Sequence, residues 1–344
     1  MNFRNTSFKL SMCASLVALS MASAVQAQDK AVMLKLSSWV PAQHALNPAL
    51  QAWGESLKKA SGGTLTATLF PSEQLGKAFD HYDMARDGIA DFSYVNPGYQ
   101  PGRFPIFAAT SLPFMINNAK AGSVAVDTWY RNYAAKEMKE VHFCFAFVHD
   151  PGAIHSRKKI VLPTDIQGMK FRPATATVGQ VITMLGGTNV QASAPEARDM
   201  LERGVADAIT FPWASLSLFG IDKVVKYHMD VPFYVTPFVW VMNQDKYNAL
   251  SATQKTAVDS HCTSEWAEKI GTAWADFEIA GHVKLLADPN REVYKLTSDQ
   301  IKVWKDAMVP AEKQWAEDVK KRGDDPVAIM KALRQNLAKY KSAM

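Results

Sequence analysis

Three short strings place side chains suited to gripping an organic acid at the ends of predicted strands. In Pro163 to Pro173 (PTDIQGMKFRP), a strand runs out at Arg172 and is stopped by Pro173. A guanidinium at the carboxyl edge of an α/β sheet stands where open sheets of this class bind ligands. Its planar fork makes two parallel charge-assisted hydrogen bonds to a carboxylate. In Ala206 to Ser215 (ADAITFPWAS), a strand exits into Phe211, Pro212 and Trp213, two large aromatics flanking a proline. That pattern suits a pocket wall. In Asp91 to Phe104 (DFSYVNPGYQPGRF), Tyr94 and Asn96 close a matching strand in the other half of the chain. Taken singly, each string has a plain alternative: an ion-paired surface arginine, core aromatics, an Asn-Pro turn.

Signatures of bond-making chemistry are mostly absent. The chain has no G-x-S-x-G, P-loop, H-E-x-x-H, C-x-x-C or G-x-G-x-x-G string, and its eight histidines are dispersed with no i, i+4 pair. No metal or cofactor is called for. Lys and Arg total 38 against 33 Asp and Glu, for a formal charge of +5 with the basic residues scattered. A nucleic-acid-binding stripe therefore has no support.

The elements that must position these residues alternate strand and helix. Strands are expected at Val32–Trp39, Thr64–Phe70, Asp91–Val95, Val141–Val148, Gly168–Arg172, Ala206–Thr210 and Phe238–Met242. Helices are expected at His44–Ser61, Ala78–Asp87, Ala176–Leu185 and Pro195–Arg203, each closed by glycine or a glycine pair. Such alternation predicts parallel sheets in an α/β fold. Ala252 to Leu286 reads as one long helical stretch lying along both domains, and Ser298–Arg322 and Pro326–Tyr340 as terminal amphipathic helices. A length of 344 residues suits two domains.

The N-terminus carries Arg4 and Lys9, the apolar run Leu10 to Met21, and the small-residue stretch ending Val25-Gln26-Ala27. This is the pattern of a secretory signal peptide over residues 1–27, cleaved after about Ala27. No other segment has a membrane-spanning length, so an exported protein that does not itself span the membrane is expected. Of the three cysteines, Cys13 falls in that leader, while Cys144 and Cys262 are read as two free buried thiols in a protein large enough to fold without staples, with pairing in an oxidising compartment the open alternative.

With these strings in hand, the chain resembles the solute-binding proteins of TRAP transporters (tripartite ATP-independent periplasmic), dicarboxylate-receptor type. The resemblance rests on PSEQLG (Pro71 to Gly76), DGIADFSYVNPGYQPGRFPIFAATSLPF (Asp87 to Phe114), LPTDIQGMKFRP (Leu162 to Pro173) and PEARDMLERGVADAITFP (Pro195 to Pro212). It implies a two-lobed periplasmic binding protein with crossing strands and a long helix spanning both lobes. Residues 28–150 and 239–285 are expected in lobe I, and 151–238 and 286–344 in lobe II. It further implies that Arg172 anchors a substrate carboxylate, that the lobes close over the ligand, and that the closed form docks on TRAP membrane permease subunits without catalysing anything.

Departures from the family pattern point to the ligand. An acid and amide found in many members are replaced here by Thr210 and Phe211, with Trp213 beyond, and a second arginine by Ile154, with His155 next. One carboxylate clamp and more aromatic wall favour an aromatic or apolar monocarboxylate, with Trp39 and Phe238 adding to the wall. The expected ligand-binding set is Arg172, Phe211, Trp213, Asn96, Tyr94, Trp39, His155 and Phe238. A four-carbon dicarboxylate or aliphatic keto or hydroxy acid is the alternative solute, and a secreted enzyme acting on a small organic acid the alternative role.

Overall fold

The computed structural model describes residues 29–344, and the expected signal peptide lies outside them. The chain runs β1 (Val32–Ser37), α1 (Leu46–Ala60), β2 (Leu65–Phe70), α2 (His81–Arg86), β3 (Phe92–Val95), α3 (Ala119–Glu137) and β4 (Val141–Val148). It continues with β5 (Gly152–Ser156), β6 (Lys170–Arg172), α4 (Ala176–Met184), β7 (Thr188–Asn189), α5 (Ala197–Glu202), β8 (Ala208–Phe211), α6 (Trp213–Leu218) and β9 (Tyr227–Tyr234). The last third is β10 (Pro237–Asn243), α7 (Gln244–Asn248), α8 (Ala252–Asp259), α9 (Ser264–Leu286), β11 (Glu292–Tyr294), α10 (Ser298–Lys321) and α11 (Pro326–Lys339).

Two sheets form, ordered β2-β1-β3-β10-β4 and β11-β9-β5-β8-β6-β7. This is the two-lobed α/β architecture with crossing strands. The sheets are mixed rather than parallel, which corrects the expectation drawn from alternation. β10 pairs antiparallel with both β3 and β4, and β5 pairs antiparallel with both β8 and β9. The cause is the crossings: the chain leaves the first sheet between β4 and β5 and returns between β9 and β10, so strands enter each sheet from the far side. The two crossings touch, because Thr236 N donates to His149 Nε2 at 2.9 Å.

Apolar spacing explains the helices. Leu46, Leu50, Trp53 and Leu57 of α1 are buried on the face toward the first sheet, with Trp53 packed edge-on to Phe92 and Trp240. The stretch expected as one long helix is two, α8 and α9, broken at Ser260–Thr263. The Thr263 hydroxyl caps α9 at Trp266 N, and the carbonyl of His261 is held by Trp53 Nε1 at 3.0 Å. A capping threonine offers the backbone a start signal that an apolar count does not register. At about 1.5 Å per residue, the 23 residues of α9 still extend ~35 Å. They pack on α1, α3 and β4 of the first lobe and on α6 of the second. The close approach to α6 requires Gly281, where a Cβ would stand 2.2 Å from Ala214. α10 lies against α4 and α11 against α3, so the C-terminal segment touches both lobes.

Cys144 and Cys262 form a disulfide, with Cα atoms 4.2 Å apart, against the expectation of free thiols. Arg131 fixes the meeting, donating from Nη2 to the carbonyls of Cys144 (2.8 Å) and Cys262 (2.9 Å). The partners are 118 residues apart, so only the tertiary fold brings them into bonding range.

Candidate functional site

The carboxyl ends of β1, β3, β4, β6 and β8 converge between the lobes on a narrow cavity of about 30 Å³. Arg172, at the end of β6, is 1% exposed and stands at one end. Its Nε donates to Ala192 O at 3.0 Å and one Nη to the Tyr99 hydroxyl at 3.1 Å, while its Cζ lies 5.7 Å from the Phe211 ring centroid. Among the described residues no carboxylate lies within ion-pair distance of it, and no other Lys or Arg lines the cavity. A guanidinium has five N–H donors, so most of its capacity remains for an anion. Leaving a buried cation without a counter-charge is costly.

The walls are aromatic. Trp39, Phe238 and Trp274 form one run, with ring centroids 6.3 and 5.0 Å apart; Phe211 and Phe219 form another, and Tyr99 and Tyr234 fill between them. Trp39 Nε1 is buried with no partner among the described residues, a donor left for an oxygen on a ligand. Asn96 caps the Pro97–Tyr99 turn through Gly98 N at 2.9 Å and reaches across to Ala174 O at 3.2 Å.

His44, His149, Ser215 and Thr236 add a polar part to the lining. His44 Nδ1 accepts from Leu46 N at 3.1 Å, which leaves Nε2–H to donate to Ser215 Oγ at 3.2 Å. Burial, then the neighbouring His149, holds His44 down to about 3, and burial holds His149 down to about 4. Beneath them, Glu278 of α9 is fully buried, and burial pushes its carboxyl up to about 7. It accepts from Ala214 N (2.6 Å), Ser215 N (3.2 Å), Trp274 Nε1 (2.6 Å) and the Ser215 hydroxyl. Glu278 thereby ties the long helix to the start of α6, whose Ser215 faces the cavity.

Of the eight residues singled out from sequence, Arg172, Phe211, Asn96, Trp39 and Phe238 line the cavity, whereas Tyr94, Trp213 and His155 do not. Tyr94 is 0% exposed and stacks behind Trp39 at 4.9 Å, since β3 turns Phe92 and Tyr94 into the core. Pro212 redirects the chain, so Trp213 opens α6 on the outer side, against His282 (4.1 Å) and His155 (5.0 Å), beside a separate cleft holding Asp150 and Asp230. His155 lies behind the wall, bonded to His228 Nδ1 (2.9 Å) and Phe211 O (3.0 Å). Sequence reading missed Tyr99, His44, His149, Ser215, Phe219, Tyr234, Thr236 and Trp274. Tyr99 was in reach, three residues past Asn96 in the same string; Trp274, one of many apolar positions in a long helix, carries no local signal.

A family model for bacterial extracellular solute-binding protein, family 7, matches residues 36–318. A TRAP solute-binding protein of Rhodoferax ferrireducens T118, solved with copurified benzoate, is 28% identical with a TM-score of 0.85, covering 90% of this chain and 98% of that one. A marine metagenome TRAP protein specific for aromatic acid ligands, solved with metahydroxyphenylacetate, is 31% identical with a TM-score of 0.84, over 90% and 99%. A TRAP protein from Bordetella bronchiseptica, with both enantiomers of mandelate bound, is 30% identical with a TM-score of 0.83, again over 90% and 99%.

Proposed function

This chain belongs to the family 7 bacterial extracellular solute-binding proteins, the solute receptors of TRAP transporters, and from that premise we propose that it captures an aromatic monocarboxylate between its lobes. One observation carries the reading: a guanidinium 1% exposed, with no protein counter-ion among the described residues, at the head of a cavity walled by aromatic rings. The carboxylate seats on Arg172, the ring lies among Trp39, Phe211, Phe238 and Trp274, and Asn96 holds the turn that brings Tyr99 to the same end. The solutes of the similar TRAP proteins, benzoate, metahydroxyphenylacetate and mandelate, support this chemistry. A dicarboxylate fits less well, because its second charge meets only His44 and His149, both held neutral by burial at ordinary pH.

The protein works in the periplasm after loss of residues 1–27, closes over its solute, and delivers it to the TRAP membrane permease subunits without turning it over. A thermal-shift panel tests the ligand class. A ligand at ~100 times its dissociation constant stabilises by ~2.7 kcal/mol, so benzoate, 3-hydroxybenzoate and mandelate raise Tm while succinate and lactate do not. Stabilisation by succinate with none by benzoate sinks the reading. Chemical change in any stabilising acid on prolonged incubation would assign the protein to an enzyme class instead.

A further inference from the structure

Resting on that carboxylate reading, we propose that Tyr99 is a specificity-determining residue, a donor that makes lobe closure depend on an anionic oxygen at Arg172. A phenol has one O–H donor and two acceptor lone pairs. Both lone pairs of Tyr99 are taken, by Arg172 Nη2 at 3.1 Å and Ala194 N at 2.8 Å. Its own O–H donates to nothing among the described residues, although the ring is 7% exposed and lines the cavity beside Arg172. The proton therefore points to an acceptor supplied from outside the chain, and a carboxylate on Arg172 supplies one.

The contact also bridges the lobes. Tyr99 follows β3 of the first sheet, whereas Arg172 and Ala194 belong to the segments around β6 and β7 of the second. The turn is seated by two further contacts: Asn96 Nδ2 donates to Ala174 O, and Gly98 lies so close to Thr175 that a Cβ would stand 2.6 Å from its side chain. The turn thus carries one group, the phenol, that is satisfied only when both the opposite lobe and an anion are in place. An apolar or neutral molecule of the same shape fills the cavity and leaves that donor buried and unpaired, which is what the site selects against.

The test is Tyr99→Phe, which keeps the ring and deletes the hydroxyl. Its polar bonds cross the cleft, so a hinge that opens the lobes breaks them, and the variant without ligand should melt with the wild type. Calorimetry with benzoate should show affinity falling roughly 10- to 100-fold, the range for a hydrogen bond to a charged group. Small-angle scattering should show wild-type compaction at benzoate concentrations that leave the variant open. A Tyr99→Phe protein that binds benzoate within about threefold of wild type overturns the proposal while the carboxylate reading stands. A fall in ligand-free Tm that accounts for the lost binding makes Tyr99 structural, and also overturns it. Failure of the wild type to bind any monocarboxylate removes the carboxylate reading, and this proposal with it.

Discussion

Replacing Arg172 by alanine is the perturbation whose size follows most directly from the structure. Nε and one Nη donor are spent on Ala192 O and Tyr99, leaving three N–H groups for the solute, enough for a two-bond grip on one carboxylate. Truncating one partner of a buried, hydrogen-bonded charge pair costs about 2–5 kcal/mol. Affinity for benzoate should therefore fall about 30- to several-thousand-fold. In a thermal-shift assay at 100 times the wild-type dissociation constant, a stabilisation of ~2.7 kcal/mol drops below about 1 kcal/mol even at the mild end of that range. The ligand-free protein should change by no more than ~1 kcal/mol, since the lost bond to Ala192 O is offset by removing a buried charge. Arg172→Lys retains the charge without the fork and should lose ~tenfold. Isothermal titration with benzoate, paired with benzyl alcohol as a neutral analogue, decides the case. If Arg172→Ala weakens both ligands equally, the arginine shapes the pocket rather than holding the carboxylate; if it weakens neither, Arg172 is outside the site.

Two more outcomes concern the frame around the cavity. The disulfide between Cys144 and Cys262 closes a span of 118 residues, so reduction or Cys262→Ser should cost about 2–5 kcal/mol, read as a lower Tm in calorimetry with and without reductant; an unchanged Tm would remove the bond from the stability of the fold. The second concerns Glu278, whose folded pKa of about 7 lies above the ordinary value of 4.5. Between those values the folded state keeps a proton that the unfolded state releases, so this carboxyl's contribution to stability grows as pH falls from above 7 toward 4.5. Measured as wild type minus Glu278→Gln, which cancels other titrating groups, the difference should be about 3 kcal/mol more favourable at pH 4.5 than at pH 8. A difference independent of pH would mean that the four donors around Glu278 hold it ionised throughout.

Legibility from sequence followed the range of the interactions. Strands such as Val141–Val148, helices such as Leu46–Ala60, and Arg172 before Pro173 were readable because apolar period, glycine stops and proline are local effects. The break between α8 and α9 was not read, because one threonine cap and the anchoring of His261 outweigh apolar periodicity at that point. Tyr94 and Trp213 were reasonable wall candidates by residue type. Which face a side chain presents, however, depends on sheet pleat and on the direction in which Pro212 sends the chain, and neither is a property of residue type.

The sequence by itself determined an α/β chain with one arginine at a strand end and an aromatic surplus near it, and with no G-x-S-x-G, P-loop, H-E-x-x-H, C-x-x-C or G-x-G-x-x-G string. Its similarity to TRAP receptors followed from strings whose order is a one-dimensional property. Tertiary structure alone decided that the sheets are mixed, that Cys144 meets Cys262, and that Tyr99, His44 and Trp274 line the same cavity as Arg172. The physical reason is common to all three. The chain crosses between the lobes and back, so the groups that complete the cavity and pair the cysteines lie many residues apart, and only packing settles which of them meet.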